Sequence, residues 1–345
     1  MDLAGARSPV TLHDVAREAG VSLATASRSL NGSTRTVNAD YRERVRQAAA
    51  RLGYTPNLSA RAVAKGTTMT VALLVADIAD PYFSQIAAGI VRAADEAGLI
   101  VTMEVTEGDA ARELELVRAM RGQRPRVMIL AGSRTSKERS SEQLTAELSA
   151  FEATGGRVVF ISQNDLPFTT VLIDNYAGAK HLASSLVDLG YRDFAAIAGP
   201  RQLITARDRL TGFLDGLAQH GITVPAAHIC HSAFTRDGGY EAAHNLLERT
   251  GRGVDLVFAV NDVMAVGVMT ALRDHGILPG DDIAVAGYDD IPLVRDVTPA
   301  LTTVRIPLEE VGRQALIRAL AHGDLRVANA HVPTEVILRA STPRR

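Results

Sequence analysis

The chain has 345 residues, of which 46% are hydrophobic and 22% charged, and its formal net charge is −2. This length predicts two or three domains, and the composition is that of a globular protein. No apolar run approaches the roughly 18 residues that span a bilayer, and MDLAGARSPV lacks the apolar segment of a secretory signal. The single cysteine, Cys230, excludes an internal disulfide framework. We therefore expect a cytoplasmic protein.

The charges are unevenly distributed along the chain. Residues 1–66 hold ten Lys and Arg against five Asp and Glu, a net charge of +5. The remaining residues hold 27 basic against 34 acidic side chains, a net charge of −7. A basic segment joined to an acidic one indicates a polyanionic partner for the first and a different partner for the second.

Residues 11–31 have the pattern of two short helices around a tight turn. Thr11 is a predicted N-cap with Asp14 as a capping-box variant, Gly20 supplies the turn, and Ser22 caps the second helix. Four apolar residues share one face of the first helix: Leu12, Val15, Ala16 and Ala19. This is the helix-turn-helix pattern, whose second helix enters the DNA major groove.

A third helix is predicted after the N-cap Asn38, and Gly53 followed by Tyr54 ends it. Three helices in about 45 residues indicate a compact DNA-binding unit. The segment after Asn57 has the length of a two-turn helix, which is too short to be stable alone in water. We expect this segment to fold only against DNA or a second subunit.

From residue 70 onward, apolar runs of strand length alternate with amphipathic stretches that end at glycine. The predicted strands are 71–76, 100–105, 127–131, 158–161, 171–173, 194–198, 256–260 and 283–286. Apolar strands alternating with helices indicate parallel sheets covered on both faces. So many strands favour two subdomains, with ligands bound in the cleft at the carboxyl ends of the strands.

Together these residues resemble the LacI/GalR family of bacterial transcription regulators. The resemblance rests on residues 11–28, on Arg51 to Arg61, and on landmarks such as Asp80-Pro81-Tyr82-Phe83, Ile173-Asp174-Asn175 and Val260-Asn261-Asp262. It implies an all-α helix-turn-helix headpiece and an α/β periplasmic-binding-protein-like core of two doubly wound parallel-sheet subdomains, between which the chain crosses three times. We expect the headpiece at 1–56, a hinge helix at 57–68 and the core at 69–345. The core would divide into subdomains at 69–164 with 296–327 and at 165–295 with 328–342.

The resemblance also implies which residues contact DNA. It places Leu23, Ala24 and Arg28 at the base-reading positions, where Arg28 can bond guanine in two places or, alternatively, bond phosphate only. Val63 stands where the family has a minor-groove leucine, and Tyr41 where it commonly has threonine. The full predicted DNA-contacting set is Thr11, Ser22, Leu23, Ala24, Thr25, Ser27, Arg28, Asn31, Tyr41, Asn57, Arg61 and Val63.

By family position, six residues form the predicted effector pocket: Phe83, Ser162, Arg209, Phe234, Asn261 and Asp289. The charged and amide groups suit paired hydroxyls, and the two phenylalanine rings offer flat faces for a sugar ring or a base. Each residue has an ordinary structural alternative, since Asp262 and Asp289 also fit as caps of the segments that follow. Ser162 stands where galactoside-binding members have an aspartate, so the ligand stays open.

These observations predict a ligand-responsive DNA-binding regulator, namely a dimeric repressor of a sugar-utilisation operon that binds a pseudo-palindromic operator. The alternatives are a sugar-binding solute receptor without DNA function, or a regulator that responds to a nucleoside or purine. No enzyme motif is present, and no cofactor is expected. His228, Cys230 and His231 are crowded on a predicted strand that points them to both sides, so we expect no metal site there.

Overall fold

The computed structural model describes residues 10–31, 37–55, 68–132, 138–162, 166–251, 253–321 and 329–345, apart from the side chains of residues 31 and 138–141. Two compact units are present, Met1–Thr68 and Met69–Arg345. Within the described residues, no helix combines the length and the apolar character needed to cross a membrane.

The first unit contains three helices, α1 (Leu12–Ala19), α2 (Leu23–Asn31) and α3 (Ala39–Leu52). Thr11 and Asp14 form the predicted capping box, and Gly20 ends α1 with a φ of +62°. The Ser22 hydroxyl accepts the Thr25 N–H at 3.1 Å, so Ser22 caps α2 as predicted. Asn38 caps α3, and Tyr54 bonds back to the carbonyl of Ala49 beyond Gly53.

A small apolar core holds these three helices together. Its fully buried members come from all three helices: Val15, Ala16, Ala19, Ala26, Val45 and Ala48. Arg44 on α3 donates a 2.6 Å hydrogen bond to the carbonyl of Ala19, at the end of α1. Because the core consists of small side chains, this bond to the last turn of α1 is an additional tie between the helices.

The second unit begins with a six-stranded parallel sheet, in the order β11-β5-β4-β3-β1-β2. Its strands are β1 (Thr70–Val75), β2 (Ile100–Val105), β3 (Val127–Ala131), β4 (Arg157–Ser162), β5 (Thr169–Ile173) and β11 (Ala330–Val332). Helices α4 (Pro81–Glu96) and α11 (Leu308–Leu320) pack on the face that holds Val71 and Leu73. Helices α5 (Ala110–Gln123) and α6 (Glu138–Ala153) cover the face that holds Ala72 and Leu74.

A four-stranded parallel sheet follows, in the order β7-β6-β8-β9. Its strands are β6 (Phe194–Ala198), β7 (Ile229–His231), β8 (Leu256–Ala259) and β9 (Ala284–Ala286). The flanking helices are α7 (Asn175–Asp188), α8 (Ile204–Ala218), α9 (Arg236–Thr250) and α10 (Asp262–Asp274). The sheets are both parallel and covered by helices, as the apolar strands predicted.

The connecting strands β10 (Thr303–Arg305) and β12 (Glu335–Ile337) pair antiparallel. Asp290 binds these connections together, because its buried carboxylate accepts bonds from Arg295 at 3.2 Å, Arg305 at 2.7 Å and Arg339 at 2.5 Å. The final residues also bond to the second sheet and to the helix beside it: the Val285 N–H donates to the carbonyl of Ser341, and the Arg345 N–H donates to the carbonyl of Leu189, just after α7.

Sheet membership differs from the predicted subdomain boundaries at two strands. The prediction assigns 165–295 and 328–342 to the second subdomain, but β5 pairs with β4, and β11 pairs with β5, in the first sheet. The physical reason is that the backbone of β5 pairs with β4, and that of β11 with β5, so the chain passes to the second subdomain only after each of these strands. His228 also lies in a short 3₁₀-helix (Ala226–His228) and not on the predicted strand.

Candidate functional site

The outer surface of α2 presents the predicted base-reading positions. Ala26 and Ser29 face the core, and this leaves Leu23 40% exposed and Ala24 exposed beside it. Neither side chain can donate a hydrogen bond, so both are restricted to contacts with apolar groups such as thymine methyls. Arg28 is half-buried, and its Nε donates to the carbonyl of Ala24 at 3.0 Å.

Several predicted DNA-contacting residues already have partners within the unit. The Thr11 hydroxyl donates to Asp14 at 2.7 Å, and the hydroxyls of Ser22 and Thr25 lie 2.9 Å apart. Tyr41 is 44% exposed on α3, with the Arg44 guanidinium 5.7 Å from its ring centre. Ser27 is half-buried on α2. The Asn31 side chain and the residues Asn57, Arg61 and Val63 lie outside the described residues.

A cavity of about 1440 Å³ lies between the two sheets of the second unit. One wall comes from the loops after β1 and β2, from Phe83 in the first turn of α4 and from Ser162 at the end of β4. The opposite wall comes from the loops after β6, β7 and β9 and from α8, including Arg209, Phe234 and Asp289. Five of the six predicted effector residues therefore line one cavity at the carboxyl ends of the strands.

Arg209 is the buried centre of this cavity wall, with 1% of its surface exposed. Its Nε donates to Asn175 at 2.8 Å, one terminal nitrogen donates to the carbonyl of Val260 at 2.9 Å, and the other lies 2.7 Å from Asp289. Its guanidinium stacks 4.0 Å from the ring centre of Tyr288. Burial alone would lower the pKa of Arg209, but the Asp289 carboxylate together with Tyr288 and Tyr82 outweighs burial, so the side chain stays charged.

Asp289 takes its position from an unusual backbone conformation, with a φ of +123°. Its N–H donates to the carbonyl of Val304, and its own carbonyl accepts from Ile306, so β10 holds the loop in place. Such a conformation costs on the order of 1–3 kcal/mol in a non-glycine residue. Burial raises the pKa of Asp289 to about 7, and the Arg209 guanidinium opposes that rise.

Asn261 is the predicted pocket residue that does not line the cavity. Its side-chain oxygen caps α10 by accepting the Met264 N–H at 2.9 Å, and its buried Nδ2 has no hydrogen-bond partner. The next residue, Asp262, is structural: its carboxylate accepts from the Thr303 hydroxyl and the Ile291 N–H. Two causes raise the pKa of Asp262 well above its usual range: burial is the larger, and the charge of the nearby Asp289 is the next.

Sequence reasoning missed further residues that line the cavity, among them Asp80, Tyr82 and Thr205. Asp80 and Tyr82 belong to a landmark motif that follows β1, so the rule of polar residues after strands would have found them. Thr205 lies four residues before Arg209 on α8 and shares its face. The hydroxyls of Thr205 and Ser162 are 3.1 Å apart, which joins the two walls.

The side chains of His228, Cys230 and His231 each contact a different partner, and His228 lies 3.4 Å from the carbonyl of Phe194. His231 bonds the carbonyl of Gly199, and Cys230 is buried against Arg249. Among the described residues, no group of three or more His, Cys, Asp and Glu side chains is placed to hold a metal ion.

Comparisons with known proteins match both units. Residues 11–57 match the family of bacterial regulatory proteins of the lacI type, and residues 183–342 match a periplasmic binding protein-like domain. The transcriptional regulator GalS of Salmonella typhimurium is 33% identical over 336 residues, covering 95% of each chain. The regulator DegA of Bacillus subtilis is 30% identical over 339 residues, covering 96% of this chain and 98% of its own.

Solved structures agree with these matches. The lac repressor dimer bound to operator and an anti-inducer superposes with a TM-score of 0.83 at 27% identity, covering 97% of this chain and all of the repressor chain. The regulator CelR in complex with cellobiose gives a TM-score of 0.69 at 29% identity, covering 96% and 99%. The chain therefore belongs to the LacI family and is a DNA-binding transcriptional regulator with a periplasmic-binding-protein-like core.

Proposed function

We propose that this protein is a dimeric repressor of a carbohydrate-utilisation operon, and that a small polyhydroxyl effector in the core cavity changes its affinity for a pseudo-palindromic operator. The observation that carries this proposal is the Arg209–Asp289 pair, which is buried at the cavity between aromatic side chains. Donors and acceptors fixed side by side suit paired hydroxyl groups, and Phe83 and Phe234 suit the apolar faces of a ring.

On the DNA side, α2 is proposed to enter the major groove, with Leu23 and Ala24 against thymine methyls and Arg28 on a guanine. Since one headpiece covers only a half-site, affinity depends on two headpieces held by a dimer. The similarity to the lac repressor dimer supports this arrangement. Light scattering on the purified protein tests it, because a monomer at operator-binding concentrations contradicts the proposal.

Effector binding is proposed to close the cavity, because both walls contribute side chains to it. Closure would change how the two headpieces are held. Coupling of this kind is typically worth about 1–3 kcal/mol, and DNA must change effector affinity by the same factor.

The deciding experiment is a thermal-shift screen of mono- and disaccharides, polyols and nucleosides, since a ligand that binds only the folded state raises Tm. Each compound that raises Tm is then titrated against the protein bound to fluorescent operator. The cellobiose complex of the relative CelR makes disaccharides the first compounds to test. If only nucleosides bind, the carbohydrate assignment is wrong; if no bound compound changes operator affinity, the regulatory assignment of the cavity is wrong.

A further inference from the structure

We propose, building on the effector site above, that the cavity selects an uncharged or cationic polyhydroxyl ligand and rejects phosphorylated or carboxylated counterparts. Among the described residues, the lining of the cavity is acidic. Five carboxylates of this described lining border the cavity: Asp77, Asp80, Glu107, Asp109 and Asp289. Two cationic side chains of the same described lining, Arg118 and Arg209, border it as well.

Both lining arginines are already paired with carboxylates. Arg209 is bonded to Asp289 at 2.7 Å and is held by Asn175 and the Val260 carbonyl. Arg118 donates to Glu147 at 2.9 Å. An anionic ligand would have to share one of these guanidinium groups with a carboxylate that already pairs with it. This competition weakens the usual reason for an anion to bind beside arginine.

Protonation of Asp289 does not change the sign of the net charge of the described lining. Burial raises its pKa to about 7, so this carboxylate is partly protonated near neutral pH. Burial also raises the pKa of Asp80 above its ordinary value. With Asp289 fully protonated, the part of the lining that the structure describes still has four carboxylates against two guanidinium groups.

Helix N-termini are the remaining feature that attracts anions. Two of the helices that begin at the cavity are capped by its own carboxylates: Asp80 accepts the Tyr82 N–H at the start of α4, and Asp109 accepts the Arg112 N–H at the start of α5. These carboxylates occupy the N–H groups and offset the helix dipole that an anion would use. The helix N-termini at the cavity therefore do not offset the negative charge of its lining.

The test measures the charge preference of the cavity directly, without knowledge of the natural effector. In the full-length Cys230→Ser protein, Ile78→Cys and, separately, Gln202→Cys place one thiol on each wall; both residues line the cavity, and Ile78 is 60% exposed. Each thiol is treated with the cationic trimethylammonium-ethyl and the anionic sulfonato-ethyl methanethiosulfonates. For each thiol, the reaction rate with the cationic reagent is divided by the rate with the anionic reagent. This ratio is then divided by the ratio measured for 2-mercaptoethanol, which corrects for the different intrinsic reactivities of the two reagents. We expect the cationic reagent to be favoured by about tenfold or more at low salt.

Matched variants assign that preference to the lining. The double variant Asp77→Asn/Asp80→Asn keeps the local capping hydrogen bonds and removes two negative charges. The preference of the thiol at residue 78 for the cationic reagent should therefore fall several-fold. Asp188→Asn with Asp281→Asn removes two exposed charges outside the cavity and should leave it unchanged. An equal rate for both reagents at both thiols, or an equal effect of the two double variants, overturns the proposal.

A second arm uses ligands. Glucose and cellobiose are compared with glucose 6-phosphate, glucuronate and glucosamine by thermal shift. A phosphorylated or carboxylated compound that raises Tm more than its neutral parent also overturns the proposal. The reagent rates do not depend on operator binding, so a regulator without a carbohydrate effector is distinguishable from a cavity without charge preference.

Discussion

Arg28 combines a base-reading position with a local hydrogen bond to the carbonyl of Ala24. If this arginine contacts a guanine as proposed, its two terminal nitrogens can make a bidentate contact, which discriminates by about 1–3 kcal/mol. Arg28→Ala should therefore weaken binding to an operator selected in vitro from random DNA by about 5- to 150-fold. Fluorescence anisotropy measures this effect, with an unselected duplex of equal length as the second substrate.

The loss on the unselected duplex should be much smaller, because phosphate contacts carry no sequence information. Arg17→Ala is the control, since Arg17 is an exposed arginine of α1 outside the predicted DNA-contacting set. If Arg28→Ala weakens both duplexes equally, Arg28 is a phosphate contact only.

Arg209 and Asp289 form a buried pair whose members depend on each other. At pH 8, Arg209→Met should lower the free energy of unfolding by about 3–5 kcal/mol, because Asp289 must then stay ionised without its cation or take up a proton. Adding Asp289→Asn should recover a large part of that loss, since an amide needs no counter-charge. Urea unfolding of the two single variants and the double variant measures the coupling; additive losses would show that the pair is not coupled.

Asp290 makes stability depend on pH in a defined direction. Burial alone would raise its pKa, but the hydrogen bonds from Arg305 and Arg339 outweigh burial, so its pKa lies below the ordinary value. The ionised form is therefore favoured by folding, and its stabilisation is present above about pH 4 and lost as pH falls further. Asp290→Asn should cost about 2 kcal/mol at pH 7 and progressively less below pH 4.

Urea unfolding across this pH range checks the Asp290 prediction. Glu335→Gln is a suitable control, because Glu335 also bonds Arg305 but its side chain is 67% exposed. Its replacement should cost less than about 1 kcal/mol. A cost of Asp290→Asn that grows toward acid pH would contradict a lowered pKa for this carboxyl.

At the scale of elements, α4 and α11 approach each other closely through two glycines. A Cβ atom on Gly89 would overlap the carbonyl of Glu309, and one on Gly312 would overlap the carbonyl of Ile86. Gly89→Ala should therefore lower the free energy of unfolding by about 1–3 kcal/mol or more, because the helices must separate. Thermal unfolding of the full chain measures this loss.

Gly122→Ala provides the matched comparison. Gly122 lies within α5, and a Cβ atom there has no neighbour within 4 Å. Because alanine favours the helix more than glycine does, this change should stabilise the protein by about 0.5–1 kcal/mol. If Gly89→Ala raises Tm as Gly122→Ala does, the close approach of α4 and α11 does not exclude a larger side chain at residue 89.

The sequence predicts elements well where a local pattern defines them. The capping residues Thr11, Ser22 and Asn38 and all eight strands predicted from apolar runs are confirmed. Three strands of three residues each were not predicted: β10, β11 and β12. They are too short for a periodic pattern, and their partners are distant in the chain, so only the three-dimensional fold defines them.

The same distinction applies to the cavity. Arg209 and Asp289 follow from motif positions, whereas the roles of Asn175 and Tyr288 around the guanidinium depend on contacts between distant segments. Asn261 shows the converse: its position after a strand predicted a pocket residue, but its side-chain oxygen caps the helix that follows. Local position identifies the edge of the sheet; side-chain direction depends on the packing around it.

At the scale of the whole molecule, the charge separation predicts strongly salt-dependent DNA binding. Residues 1–66 carry a net charge of +5 and the remaining residues −7, so attraction to phosphate comes from one end of the chain. Each neutralised phosphate contributes about −0.9 to the slope of log K against log salt, so several phosphate contacts should give a slope of several units. A titration from about 50 to 200 mM salt measures it. A slope near zero would contradict phosphate-dominated binding.

The bonds that the last residues make to the second sheet and to the end of α7 also determine when parts of the fold can form during translation. Val285 bonds to Ser341, and Leu189 to Arg345, while β11 at residues 330–332 completes the first sheet. The ribosome releases the chain from its N-terminus at about 5–20 residues per second, so both sheets lack a partner segment until translation is almost finished. The three-helix unit, in contrast, has all its described elements by residue 55. During translation, the three helices α1 to α3 are therefore complete well before the two sheets of the second unit.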